Sequence, residues 1–428
     1  MSKKLWILIS LLIVAAMVLG ACAPAAAPTE EAAPPVEQPA ATEAPVEPPA
    51  PEPMALQLWH QEGEAENAAQ YVQALADAYT AMHPEVTFEL TNKQTETLRE
   101  DFQTAALAGA PPDLLWTVND HAGPFTTAEI ILPVDELVDL GKYVDSSAVR
   151  LGGQTWGVPI SSGNHLMLYF NKDLIAEAPA DTAALLAAAE ELKAAGVTPL
   201  VYNQTEPFWL VPWLGGFGGA VFAEDGVTPT LNTPEMVSTL AWLKQLKDEG
   251  VVPAESDYDG ADTLFKEGKA AMIVNGDWTL GAYKDLFGDK LGVARIPMIT
   301  GAGYPAPFTS GKYFMIPAGL DDATVAVVVD FIDFATNLEN QTTMVTTLTR
   351  LPALLEALDI PEVTEDAFLA GSADQMVVGV GMPAVVEMRC NWDSMKPEMQ
   401  AVLAGDKTPE DAAAAMQAAA EACVTTLE

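Results

Sequence analysis

Nine tryptophans occur in the chain, and most stand where an apolar run ends or a loop begins, beside a carboxylate or an amide. Trp59 precedes His60, Gln61 and Glu62, and Trp116 precedes Asn119, Asp120 and His121. Glu206, Pro207, Phe208 and Trp209 form one compact group. Asn275, Gly276 and Asp277 lead into Trp278, and Asn391 adjoins Trp392. Flat aromatic faces with planar polar groups beside them suit a sugar: rings cover the apolar C–H faces of a pyranose, and Asp, Glu, Asn and Lys complete its hydroxyl bonds. A buried hydroxyl left unpaired costs about 1–3 kcal/mol, so such a site discriminates by polar bonds and gains affinity by stacking. Core packing is the competing fate of any one indole, and Trp242, inside an amphipathic pattern, is read that way.

Catalytic signatures are missing. The chain has no G-x-S-x-G elbow, Walker loop, H-E-x-x-H or dinucleotide fingerprint. The glycine-rich stretch Gly215–Gly219 lacks the Lys-Ser/Thr of a phosphate cradle and reads as a turn lining a cleft. Carboxylates are numerous enough to supply a glycosidase pair, but no motif marks one. The four histidines, at 60, 83, 121 and 165, have no zinc spacing, and Asp257–Asp262 is a poor imitation of a calcium loop, so neither metal nor cofactor is expected.

The elements that would position these residues alternate. Ala55–Trp59, Val86–Leu90 and Asp113–Trp116 read as strands, separated by helices over Asn67–His83 and Thr97–Ala108. This β-α-β-α-β order predicts an α/β fold with a parallel sheet, in which ligands bind beyond the carboxyl ends of the strands. Later, Asp181, Thr233 and Thr408 are predicted N-caps, the last two followed by proline at the first helical position. Leu166–Phe170 and Ala271–Val274 read as further strands. From Met54 onward the chain is too long for one ordinary core, so two lobes are expected.

Formal charge is −40, from 60 acidic and 20 basic residues. That balance disfavours nucleic acid, whose phosphates require clustered Lys and Arg. At the N-terminus, Lys3 and Lys4 precede an apolar run, Leu5–Leu19, and then Gly20, Ala21 and Cys22, the layout of a secretory signal over residues 1–21. Residues 22–54 are dominated by Ala, Pro, Glu and Thr, a composition expected to remain disordered and to act as a tether of up to roughly 90 Å. With Cys22 set aside, Cys390 and Cys423 are an even pair in an oxidising compartment. They read either as a disulfide contributing roughly 3 kcal/mol or as two buried thiols.

These residues resemble the extracellular solute-binding proteins that serve ABC-type sugar importers, the maltose/maltodextrin-binding branch in particular. The matching stretches are Leu58-Trp59, Leu107–Leu115, Tyr169–Leu174, Asn203–Phe208, Phe265–Trp278 and Trp392. The tetrad before residue 23 resembles a lipobox, which implies a lipid on Cys22 and a membrane-anchored protein facing the extracellular or periplasmic side. The resemblance implies two lobes about a hinge and cleft, lobe one from 55–163 with 309–360 and lobe two from 164–308 with 361–428. By position, Asp120 and Glu206 match the family's sugar-binding carboxylates, Phe208 an aromatic partner, and Trp278 and Trp392 the stacking floor. His121 and Lys396 stand where arginines occur, Asn164 replaces an acid, Glu64 falls in a substituted Asp-Lys pair, and Trp116 is one residue off the sugar-facing Trp, whose place Thr117 takes. With one Lys and no Arg, the expected ligand is a neutral oligosaccharide. The implied protein is a monomer that delivers its ligand to membrane permease subunits. A tethered hydrolase and a non-transport carbohydrate-sensing lipoprotein are the rival readings.

Overall fold

The computed structural model describes residues 53–63 and 67–427. The signal, Cys22, nearly all of the tether and Glu64 lie outside the described residues. Two sheets organise the described chain. The larger has the order β12-β11-β3-β1-β2, with β6 also pairing β11. Its strands are β1 (Met54–His60), β2 (Val86–Asn92), β3 (Leu114–Val118), β6 (Val158–Gly163), β11 (Phe308–Met315) and β12 (Val380–Gly381). The smaller has the order β10-β7-β9-β8, from β7 (Leu166–Asn171), β8 (Thr198–Val201), β9 (Ala270–Gly276) and β10 (Leu291–Ala294). A short antiparallel hairpin joins β4 (Arg150–Leu151) to β5 (Gln154–Thr155).

The predicted β-α-β-α-β start is present. β1 pairs in parallel with β2 and β3, and helices Ala68–Met82 and Thr95–Leu107 lie between them in sequence. Beyond that point the sheets are mixed, because β11 runs antiparallel to both β3 and β6 and β7 runs antiparallel to β9. The strand pairs β7 and β9 are buried at every position, which is why they read as unbroken apolar runs rather than alternating ones. All three predicted N-caps form: Asp181 accepts from the Ala184 amide at 2.8 Å, Thr233 from Met236 at 3.2 Å and Thr408 from Asp411 at 3.1 Å.

Each sheet has its own apolar core. Leu56, Leu58, Trp116, Phe314 and Phe331 pack together under the larger sheet. Leu168, Leu200, Met272 and Val274 pack with Trp213 and Trp242 under the smaller. The glycine-rich stretch is packed rather than cleft-lining, correcting the sequence expectation. A Cβ on Gly215 would stand 2.7 Å from that of Ala306, and one on Gly216 the same distance from Ile299 Cδ1.

The chain passes from sheet to sheet at 163–166, between β6 and β7, and returns between β10 and β11. Gly163 has φ +124° and Asn164 φ +48°, and a Cβ on Gly163 would lie 2.2 Å from Asp277 Oδ2. Only glycine serves at the first position. Cys390 and Cys423 are bonded, with Cα atoms 5.5 Å apart, tying helix Glu387–Ala404 to helix Pro409–Val424. Among the described residues no helix is long and apolar enough to cross a membrane.

Candidate functional site

A cavity of about 810 Å³ lies between the two sheets. The larger-sheet side contributes Glu62, Glu96, Asp120 and Lys312, and the smaller-sheet side contributes Glu206, Phe208, Tyr258, Trp278, Trp392 and Lys396. Local sequence explains several of these placements. Asp120 follows β3 directly in a short 3-10 turn, so it projects from the carboxyl end of a parallel strand. Trp278 follows β9 in the same manner, and Trp392 and Lys396 stand four residues apart on one helix face.

Three half-buried rings form a cluster. The Phe208 centroid is 6.2 Å from that of Trp278 and 6.3 Å from that of Trp392, with both pairs tilted by about 50°. Trp278 Nε1 donates to Tyr258 Oη at 2.9 Å, and Lys312 Nζ is 5.6 Å from its ring centroid. Trp392 Nε1 donates across the cleft to Asp120 Oδ2 at 3.1 Å. Glu206 accepts from Lys396 Nζ at the solvent edge.

Asp120 Oδ1 is shielded from solvent and accepts no hydrogen bond among the described residues. Burial, with the Glu96 carboxylate nearby, pushes the Asp120 carboxyl up to about 6, against the opposing Trp392 N–H. A raised acid binds its proton more readily folded than unfolded. Its contribution to stability is therefore present at low pH and lost as pH rises from about 4 to 6. Asp120→Asn is accordingly expected to be more stable than the parent at pH 7 by about 1–3 kcal/mol, and so to melt higher there, and to match it near pH 4. Melting curves from pH 4 to 7 test this; a gap that does not widen with pH would contradict it.

Of the other residues singled out in the sequence, Asn164 also lines the cavity, at the sheet-to-sheet crossing. Its backbone N–H donates to Asp277 Oδ2 at 3.0 Å and its side chain to Ser310 Oγ at 3.4 Å, so it also braces the crossing strands. Two residues proposed as ligand contacts are instead in the core. Trp116 is fully buried, edge-on to Phe314 at 5.1 Å, and donates from Nε1 to Glu62 Oε1 at 2.8 Å. β3 is buried along its whole length, so a shift of one residue does not bring an indole to the cleft. His121 is 1% exposed, shares a 2.7 Å hydrogen bond with Thr117 Oγ1, and is held neutral by burial, which lowers its pKa to about 3. It packs at 5.6 Å from Phe125 rather than replacing an arginine in the cleft.

The cavity also contains cations that the sequence reading missed. Lys93, Lys312, Arg350 and Arg389 join Lys396, correcting the expectation of a single Lys and no Arg. Carboxylates accompany them: Lys93 pairs with Asp101 at 2.7 Å, Arg350 with Glu62 at 2.8 Å, and Arg389 with Glu96 and Asp393. Burial alone would raise the Glu62 carboxyl, yet Arg350 and Lys312 bring it down to about 2. Arg389 was legible in principle, one helical turn before Trp392. Arg350 was not, since it follows a helix far away in sequence. Among the described residues no cluster of His, Cys, Asp or Glu could hold a metal ion.

Two lobes joined by crossing strands, with aromatic and polar groups facing each other across a cleft, define the class of two-lobed solute-binding folds. The family described as bacterial extracellular solute-binding protein matches residues 74–371, and the chain belongs to it. A maltotriose-binding protein of Pyrococcus abyssi is 27% identical over 369 residues, 82% of this chain and 78% of that protein. A maltooligosaccharide ABC transporter solute-binding lipoprotein of Streptococcus pneumoniae is 26% identical over 321 residues, 72% of this chain and 75% of its own length. Among solved structures, the maltose/maltodextrin-binding domain of Bdellovibrio bacteriovorus bound to maltotriose superposes with TM-score 0.83 at 34% identity, covering 87% of this chain and all of that one.

Proposed function

We propose that this protein captures an oligosaccharide of the malto series in the cleft between its lobes and delivers it to the permease of an ABC importer. The observation that carries this reading is the ring cluster of Phe208, Trp278 and Trp392 facing the unpaired acceptor Asp120 Oδ1. The rings offer stacking surfaces, and Asp120 and Glu206 offer acceptors to hydroxyls from opposite sides. Bridging of both lobes by one ligand would favour the closed state, since a ligand shifts that balance by its difference in affinity for the two forms. Lobe one is taken as 55–163 with 309–360 and lobe two as 164–308 with 361–428. β12, though within the second of these, pairs with β11 of the larger sheet and so laces the lobes together.

Similarity to the Pyrococcus and Streptococcus proteins supports both the sugar class and the importer. The word lipoprotein in the name of the second supports a lipid on Cys22 and anchorage outside the cell membrane. The reading is of a monomeric binding protein without turnover. Calorimetry of the purified chain with maltotriose, trehalose, cellobiose and xylobiose tests it. Tight binding of maltotriose without its hydrolysis is the expected result; preference for a β-linked sugar, or cleavage, would overturn it.

A further inference from the structure

We propose that Arg389 and Glu96 form a latch across the mouth of the cleft that holds the lobes together and limits the length of saccharide admitted. The length limit rests on the cleft being an oligosaccharide site; the latch does not. Glu96 lies in the first turn of helix Thr95–Leu107, whose Leu98 and Phe102 pack with Leu115 of the larger sheet. Arg389 belongs to helix Glu387–Ala404, whose Met388, Met395 and Met399 pack in the core of the smaller sheet. The Arg389 guanidinium donates to Glu96 Oε2, so this ion pair runs from one lobe to the other.

Both partners are held in place by their own lobes. Glu96 Oε2 also accepts from Arg99 Nε at 3.2 Å, and Arg389 Nε donates to Asp393 Oδ2 at 2.9 Å. The Arg389 and Glu96 side chains are 29% and 49% exposed, so the contribution of the pair comes from alignment rather than from a dry surrounding. Substituting either therefore leaves both cores intact.

Position along the helix gives the latch its consequence. Arg389, Trp392, Asp393 and Lys396 follow the i, i+3, i+4, i+7 pattern of one helical face, and all four line the cavity. The helical rise puts Arg389 about 4.5 Å before Trp392 and Lys396 about 6 Å beyond it. At the Lys396 end the partner, Glu206, belongs to the same lobe, so that pair leaves the gap between lobes unspanned. At the Arg389 end the pair spans it. A saccharide stacked on Trp392 thus meets a closed wall one helical turn past the indole on that side. A short chain ends inside the wall, whereas a longer one must break the ion pair to pass. Breaking it also removes a bond that exists only in the closed form, lowering the closed population.

The test uses the full chain, with spin labels built in as non-canonical residues at the exposed positions Leu107 and Leu286, one on each lobe. Without sugar, Arg389→Ala and Glu96→Gln should each shift the inter-label distances toward longer values, and Arg389→Lys should shift them less. By calorimetry, the affinity for maltoheptaose relative to maltotriose should rise about threefold to fivefold in the two latch-breaking variants, the scale of an exposed ion pair. Unchanged distances in both variants would overturn the latch. Longer distances with an unchanged affinity ratio would overturn the length limit. A parent protein that binds neither sugar would overturn the proposed function, leaving the latch to be judged by the distances.

Discussion

Trp278→Ala is expected to weaken binding of a malto-oligosaccharide by about 2 kcal/mol, roughly 30-fold. Its indole is half-buried, tilted toward Phe208, edge-on to Trp209 at 6.3 Å, and fixed in orientation by the 2.9 Å bond from Nε1 to Tyr258. An orientation set in advance means little side-chain entropy is lost when a sugar stacks, so most of the contact appears as affinity. The lost ring also leaves Phe208 with only Trp209 and Trp392 of its three ring neighbours, so the platform shrinks as well as losing one contact. Tyr258→Phe separates the two contributions: it keeps the indole but releases its N–H, and should cost less than the alanine variant. Titration calorimetry measures both. Equal affinity in Trp278→Ala and the parent would remove this ring from the site.

The second large effect concerns stability. Glu62 and Arg350 form an ion pair at 2.8 Å with both side chains 3% exposed, and Glu62 also accepts from the buried Trp116. Arg350 additionally reaches the Trp278 carbonyl at 3.5 Å, so this pair joins the end of β1, the segment after helix Leu338–Leu348 and the aromatic platform. Removing Arg350 takes from the buried Glu62 carboxylate its direct ion-pair partner and leaves only the weaker attraction of Lys312, which costs about 3 kcal/mol. Arg350→Met should therefore lower the urea midpoint sharply. Adding Glu62→Gln should recover part of the loss, because the amide oxygen still accepts from Trp116 and no charge is stranded. With its carboxyl held down to about 2, Glu62 contributes stability that is present above its ordinary range and lost as pH falls toward 2. Additive losses in the double variant would contradict a coupled pair.

Sequence periodicity alone located the elements flanking the site. The strand read at Ala55–Trp59, the helix read over Asn67–His83, and the caps at Asp181, Thr233 and Thr408 appear within a few residues of where they were read, because local backbone bonding and amphipathic burial specify them. Placement of aromatic and acidic residues after strands was legible for the same reason, and Asp120, Glu206, Phe208, Trp278, Trp392 and Lys396 all reach one cavity. Trp242 also proved to be core, packed on Trp213 at 5.7 Å.

Tertiary structure decided what periodicity cannot encode. An indole or imidazole on β3 or just after it has the same composition whether it faces the cleft or the core, and only tertiary packing placed Trp116 against Tyr71 and Phe314 and His121 against Phe125. Charge pairing was equally hidden. Glu62 meets Arg350 within one lobe and Glu96 meets Arg389 between the lobes, both across long stretches of chain, so these cleft cations acquire their partners only through tertiary packing. Local chemistry thus chose the candidate groups, and long-range packing chose which of them are free to meet a ligand.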